Sequence, residues 1–105
     1  MEKCVMKRKK SLAIHPGEIL KEEFLGPLNL SQNALALNLR VPAQRINDLV
    51  RARRSVTIDT AARLSVYFGT TVNFWLNLQN RYDLTKAEEE GLFKLVRKDV
   101  LKTAR

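Results

Sequence analysis

The 105-residue chain holds one cysteine and one histidine, Cys4 and His15. A lone thiol closes no intramolecular disulfide, and one cysteine with one histidine falls short of a zinc ligand set. No metal or cofactor is therefore expected. No nucleophile motif surrounds the serines, lysines or carboxylates, and His15, just before Pro16, reads as a helix-entry residue rather than a base. An enzyme is not expected. Apolar runs are short, and none approaches the roughly 18 residues of a membrane span. The basic start "MEKCVMKRKK" is not followed by an apolar stretch, which argues against a signal peptide and for a cytoplasmic protein. Four glycines and three prolines sit at punctuation points between apolar segments. There is no repeat, low-complexity tract or apolar–polar alternation, so a β fold has no support.

What is present is an ordinary soluble composition with an uneven charge pattern. Hydrophobic residues make up 45% and charged residues 29%, enough for one domain with a small core to which oligomerisation would add burial. Nineteen Lys and Arg against eleven Asp and Glu give a formal charge of +8. Residues 1–10, 31–56 and 91–105 each carry +4, whereas 11–30 and 57–90 each carry −2. Segregated positive charge suits a polyanion, because each neutralised phosphate releases condensed counterions. The terminal blocks are equally compatible with simple solubilisation.

Helical signals account for the rest. Residues 1–12 read as a flexible basic arm, 13–90 as the folded domain and 91–105 as a basic C-terminal helix or tail. "HPGEILKEEFLGPL" reads as a first helix, with Pro16 early, Glu18 in the first turn and Gly26-Pro27 as the stop. Ser31 caps a second helix whose inward stripe is Leu35, Ala36 and Leu39, with Leu30 placed to staple onto Leu35. A third helix starts near Pro42 and turns Ile46, Leu49 and Val50 inward. A fourth runs from Thr57 to Gly69. Thr71 opens a fifth, "VNFWLNLQNRYDL", and the segment "KAEEEGLFKLVRKDVLKTAR" reads as a sixth that Gly91 weakens, with Leu92, Val96 and Val100 along one side. The class is all-α, five to six helices.

The second and third helices are joined by the short connection "LRVP". Two helices so joined must cross closely to present the second one outward. Ala36 supplies the small residue at the crossing, Val41 the apolar plug, and Ile46 and Leu49 the buried residues that fix rotation. The outward face then carries Gln44, Arg45, Asn47, Asp48 and Arg51.

"SQNALALNLRVPAQRINDLV" resembles the helix-turn-helix of the phage-repressor (Cro/C1, or XRE-like) family, with a compact lambda-repressor-like fold. The segments "HPGEIL", "RIND", "TAARL" and "FWLNLQNRYDL" bring the likeness, over about residues 14–90, to the HigA antitoxins, also called virulence-associated protein I. The resemblance implies a homodimer that binds its own operator and neutralises HigB, a RelE-like mRNA-cleaving toxin. It also places Gln32 where that family contacts phosphate. The family usually has Gly in the turn where this chain has Arg40. Either the turn differs here, or about 1–2 kcal/mol of left-handed strain is offset elsewhere and Arg40 reaches a phosphate. "RARR", residues 51–54, stands where the family often shows "NGKR".

In this docking mode the start of the second helix faces base edges. Ala43 can touch a thymine methyl, Gln44 can pair with adenine, and Arg45 can take guanine or phosphate. Asn47 and Asp48 share that face, and Arg51, Arg53 and Arg54 suit phosphate. Phe74, Trp75, Leu78 and Tyr82 read either as core or as a dimer or partner interface. The competing functions are a toxin-neutralising operator-binding antitoxin, a free-standing regulator without a toxin, and an interaction module that has lost DNA binding. Gln44 and Arg45 within a basic block argue against the last.

Overall fold

The computed structural model describes residues 11–103, and among them there are six helices and no strand. Helix α1 starts at Pro16–Ile19 and continues as a π-helical turn over Leu20–Leu25. Then follow α2 (Gln32–Leu39), α3 (Ala43–Val50), α4 (Ile58–Phe68), α5 (Val72–Glu89) and α6 (Leu92–Asp99). The caps are those the sequence announces. Ser31, Thr57 and Thr71 accept the N–H groups of Ala34, Thr60 and Phe74, and Gly69 ends α4 in left-handed geometry.

The wide turn in α1 departs from the plain helix that the residue spacing suggests. Its i to i+5 bonding stacks Leu25 over Leu20, and both are buried. An α-helical register would send one of them away from the core. Around these two leucines pack Leu35, Ile46, Leu49, Leu64 and Trp75, each at most 1% exposed. Phe24 joins Phe68 and Trp75 at ring-centroid distances of 4.7 and 5.1 Å.

The boundary between the last two helices differs from the reading above. Lys86–Glu89 are strong helix formers and extend α5, so they do not open a separate helix. Gly91, at φ 83°, is the break and not a weak interior position. Helix α6 ends at Asp99, because Val100 is extended. It buries none of its residues: Leu92 and Val96 are 46% and 40% exposed, and Val100, just beyond its end, is 58% exposed. Of the basic arm, residues 1–10 lie outside the described residues. Ser11 and Leu12 are pinned, donating to the Glu89 carboxylate at 2.8 and 2.7 Å.

Arg40 resolves the question of the turn. It sits at φ 62°, ψ 42°, while Val41 N–H reaches Ala36 C=O at 3.0 Å and Arg40 N–H reaches Leu37 C=O at 3.2 Å. The turn keeps its glycine geometry with an arginine in place, and it bears the strain. Arg40→Gly is therefore expected to raise stability by about 1 kcal/mol, roughly 4–8 °C in Tm. If Arg40 also grips phosphate, the same variant binds DNA with a salt slope shallower by about 0.9. Thermal melts and salt titrations read the two effects separately.

Candidate nucleic-acid interface

Helix α3 is fixed in rotation by Ile46 and Leu49, 0% and 1% exposed, which turns the opposite side outward. Gln44, Asn47, Asp48 and Arg51 fall at i, i+3, i+4 and i+7, one face of a helix. Ala43 and Gln44 are open to solvent, and Asn47 and Asp48 are half-buried by their neighbours.

Those neighbours make an ordered polar surface. Gln44 donates to the Asp48 carboxylate at 2.7 Å. Asn47 donates to the Gln32 side-chain oxygen, so the first residue of α2 and the middle of α3 are tied together. Arg54 stands 3.7 Å from Asp48. Arg45 is turned aside, its guanidinium bonding the Asp59 carboxylate of α4 at 2.7 Å. Asp59 also takes Arg63 at 3.0 Å, and Arg63 reaches back to the Leu39 carbonyl at 2.9 Å. The hydrogen bonds of Arg63 and Arg45 hold the Asp59 carboxyl below its ordinary range. Arg45 thus belongs to a bridge between α3 and α4, and a contact with DNA must compete with Asp59.

After α3 the chain makes a second strained turn. Ala52 lies at φ 62°, with Ala52 N–H on Leu49 C=O at 3.0 Å and Arg53 N–H on Asp48 C=O at 2.8 Å. Arg51, Arg53 and Arg54 are all exposed around it. Arg40, at the other turn, is exposed as well.

Several residues that shape this surface carry no signal of that role in the sequence reading. Gly17 is buried where α1 meets the end of α3, and a Cβ there would lie 1.8 Å from the Leu49 carbonyl oxygen. His15 is 6% exposed; its Nδ1 accepts the Gly17 N–H at 2.9 Å and its ring meets Tyr82 edge-on at 4.7 Å. Burial pushes the imidazole below its ordinary value, against the opposite pull of the Asp83 carboxylate and the Arg54 backbone. Gln79 is buried and accepts the Val56 N–H at 2.8 Å. Helical spacing marks none of these. Only the glycine inside a helix start, a costly choice against alanine, hints at a close approach.

The aromatic group on α5 divides. Trp75 is 0% exposed and donates its indole N–H to Thr70 at 2.8 Å, so it is a core residue and not an interface anchor. The ring is enclosed by Phe24, Phe68 and Phe74. Phe74 is 37% exposed, and Leu78 and Tyr82 are half-buried.

A family profile described as helix-turn-helix matches residues 20–75, from the π-helical turn to the start of α5. The chain belongs to the Cro/C1-type helix-turn-helix family. This helix-turn-helix protein is 55% identical over 78 residues to virulence-associated protein I of Dichelobacter nodosus, covering 74% of this chain and 72% of that one. It is 33% identical over 92 residues to the antitoxin HigA-1 of Vibrio cholerae, covering 84% and 87%. Among solved structures it is similar to the Pseudomonas aeruginosa antitoxin HigA with the higBA promoter. That likeness has a TM-score of 0.81 at 41% identity and covers 88% of this chain and 99% of that one. The helix-turn-helix protein is thus a member of a family of DNA-binding regulators and antitoxins. Among its described residues no helix is long and apolar enough to cross a membrane.

Proposed function

We propose that this protein is the antitoxin of a type II toxin–antitoxin pair. As a dimer it represses its own operon, and by direct binding it neutralises a HigB/RelE-like mRNA-cleaving toxin. The observation that carries this reading is the likeness, across 88% of the chain, to a HigA antitoxin solved with its promoter. The outward polar face of α3 and the arginine turn beside it supply the chemistry the reading needs.

In the proposed complex α3 enters the major groove. Ala43, Gln44, Asn47 and Asp48 face base edges. Gln32, Arg40, Arg51, Arg53 and Arg54 grip phosphates, and Arg45 joins them when it leaves Asp59. Two-fold symmetry then doubles the contacts over a palindrome. Support for the dimer lies in the apolar surface left open along α5 and α6 and on the segment that leads into α1. Leu12, Ile14, Ile19 and Leu78 line a hollow of about 140 Å³, and Leu84, Leu92, Val96 and Val100 are each at least 40% exposed. Phe74, Leu78 and Tyr82 on α5 are the proposed interface or partner contacts. Trp75 is not among them.

Gln44→Ala is expected to weaken operator binding by about 1–3 kcal/mol and to relax preference at one base pair. Arg53→Ala should weaken operator and random DNA alike and flatten the salt slope by about 0.9. Equal losses on both DNAs for Gln44→Ala would remove that residue from the reading set. The function itself is tested by co-expression with the neighbouring reading frame, alongside footprinting on the chain's own promoter. Rescue of growth and co-purification are the expected results. A footprint without any toxic neighbour would make the protein a stand-alone regulator, and no footprint at all would overturn both.

A further inference from the structure

The turn that carries Arg51, Arg53 and Arg54 is exposed from Arg51 through Ser55, and its first apolar anchor is Val56, 5% exposed. Its backbone is strained at Ala52. The hydrogen bonds that close α3 hold the chain only as far as Arg53. Beyond that point, the hydrogen bond that fixes the turn comes from α5.

We propose that a polar strut, buried Gln79 and exposed Asp83 of α5 with buried His15 at the start of α1, holds the arginine turn in its DNA-gripping geometry. Gln79 and His15 are then positioning residues for DNA binding, although neither faces the groove. The inference rests on the reading that Arg53 and Arg54 contact phosphate.

The strut begins at Gln79, whose oxygen accepts the Val56 N–H at 2.8 Å across 23 residues of sequence. Its amide donates to the Asp83 carboxylate at 3.0 Å, which fixes the side chain from behind. His15 joins the same cluster through Tyr82, the neighbour of Asp83 on α5, which its ring meets edge-on at 4.7 Å. The groups that face the His15 ring are Tyr82 and Asp83 from α5 and the Arg54 backbone from the turn. Through Nδ1 the same ring caps α1 at Gly17, the residue seated against the Leu49 carbonyl. One cluster therefore meets the start of α1, the end of α3 and both the Arg54 and Val56 positions of the turn. A glutamine at residue 79 is the natural choice: it offers an acceptor to a buried N–H and a donor to a carboxylate at once. A leucine there fills the space but leaves the buried Val56 N–H unmatched, while the exposed Asp83 carboxylate turns to water.

Placement of the turn matters because the salt dependence of DNA binding counts the phosphates contacted, about 0.9 in slope for each. The test compares Gln79→Leu, His15→Asn and Leu76→Ala on a random-sequence duplex. Leu76 packs against the core from the same helix and serves as the control for general destabilisation. Asparagine at residue 15 can still cap Gly17 but is too short to span to Tyr82 and the turn. Gln79→Leu is expected to lower the salt slope by about 2 and His15→Asn by about 1, each with helicity retained. Exchange of the Val56 amide should rise at least about a hundredfold in Gln79→Leu, a change that reads the strut without DNA. Leu76→Ala should lower Tm and leave the slope intact. A full slope in folded Gln79→Leu overturns the proposal, and so does an equal loss in the Leu76→Ala control. Should Gln79→Leu not fold, an undiminished slope in His15→Asn overturns it. A wild-type protein with no salt dependence removes the phosphate reading and the proposal together, whereas a wild-type slope that survives the variants removes the proposal alone.

Discussion

Replacing Gly17 with alanine is expected to cost more than about 3 kcal/mol and to lower Tm by at least about 12 °C. Two effects oppose each other at this site. Alanine is the better helix former by about 1 kcal/mol, which on its own predicts a stabilised α1. Against it stands geometry. The added Cβ would lie 1.8 Å from the Leu49 carbonyl oxygen, 2.6 Å from its carbon and 2.9 Å from the Val50 Cα. Overpacking usually costs about 1–3 kcal/mol where side chains can yield. Here the obstacle is backbone, and α3 cannot retreat without exposing Ile46 and Leu49 and dragging the arginine turn with it. The clash wins. Operator and random DNA should both bind more weakly, because the whole reading helix is displaced. Urea unfolding of Gly17→Ala decides the matter, and a variant as stable as the parent would mean that α1 and α3 do not cross this closely.

The contrast between Gly17 and Ser31 shows what a sequence can disclose. Ser31, Thr57, Thr71 and Gly69 act within one turn of where they stand, so residue type and position suffice to place them. The inward stripes Leu35-Ala36-Leu39 and Ile46-Leu49 follow from helical period in the same way. Gly17 acts on α3, more than thirty residues further along, and Gln79 acts on Val56 across 23. Neither partner is implied by spacing. Arg45 is the instructive intermediate: its place on α3 is legible, but its direction is set by Asp59 on another helix. The end of α5 shows local signals in competition. Lys86–Glu89 favour continuation and Gly91 favours termination, and the helix runs until the glycine can take its left-handed geometry.

Trp75→Ala should remove about 3–5 kcal/mol of stability, and the way it does so separates core from interface. Trp75 is fully enclosed, with Phe24, Phe68 and Phe74 around the ring and Thr70 taking its N–H at 2.8 Å. Truncation leaves a cavity that these rings cannot refill, and it strands the Thr70 hydroxyl. The loss belongs to each protomer. It should therefore be the same size when the protein is diluted tenfold, since mass action governs only contacts between chains. Leu78→Ala supplies the comparison. Leu78 borders the open apolar hollow on α5, and its loss is expected to weaken association, with an effect on Tm that grows on dilution. If Trp75→Ala instead proved harmless at high concentration and severe at low, the indole would be acting across a subunit boundary. The packing of α5 against α1 and α4 would then have to be redrawn.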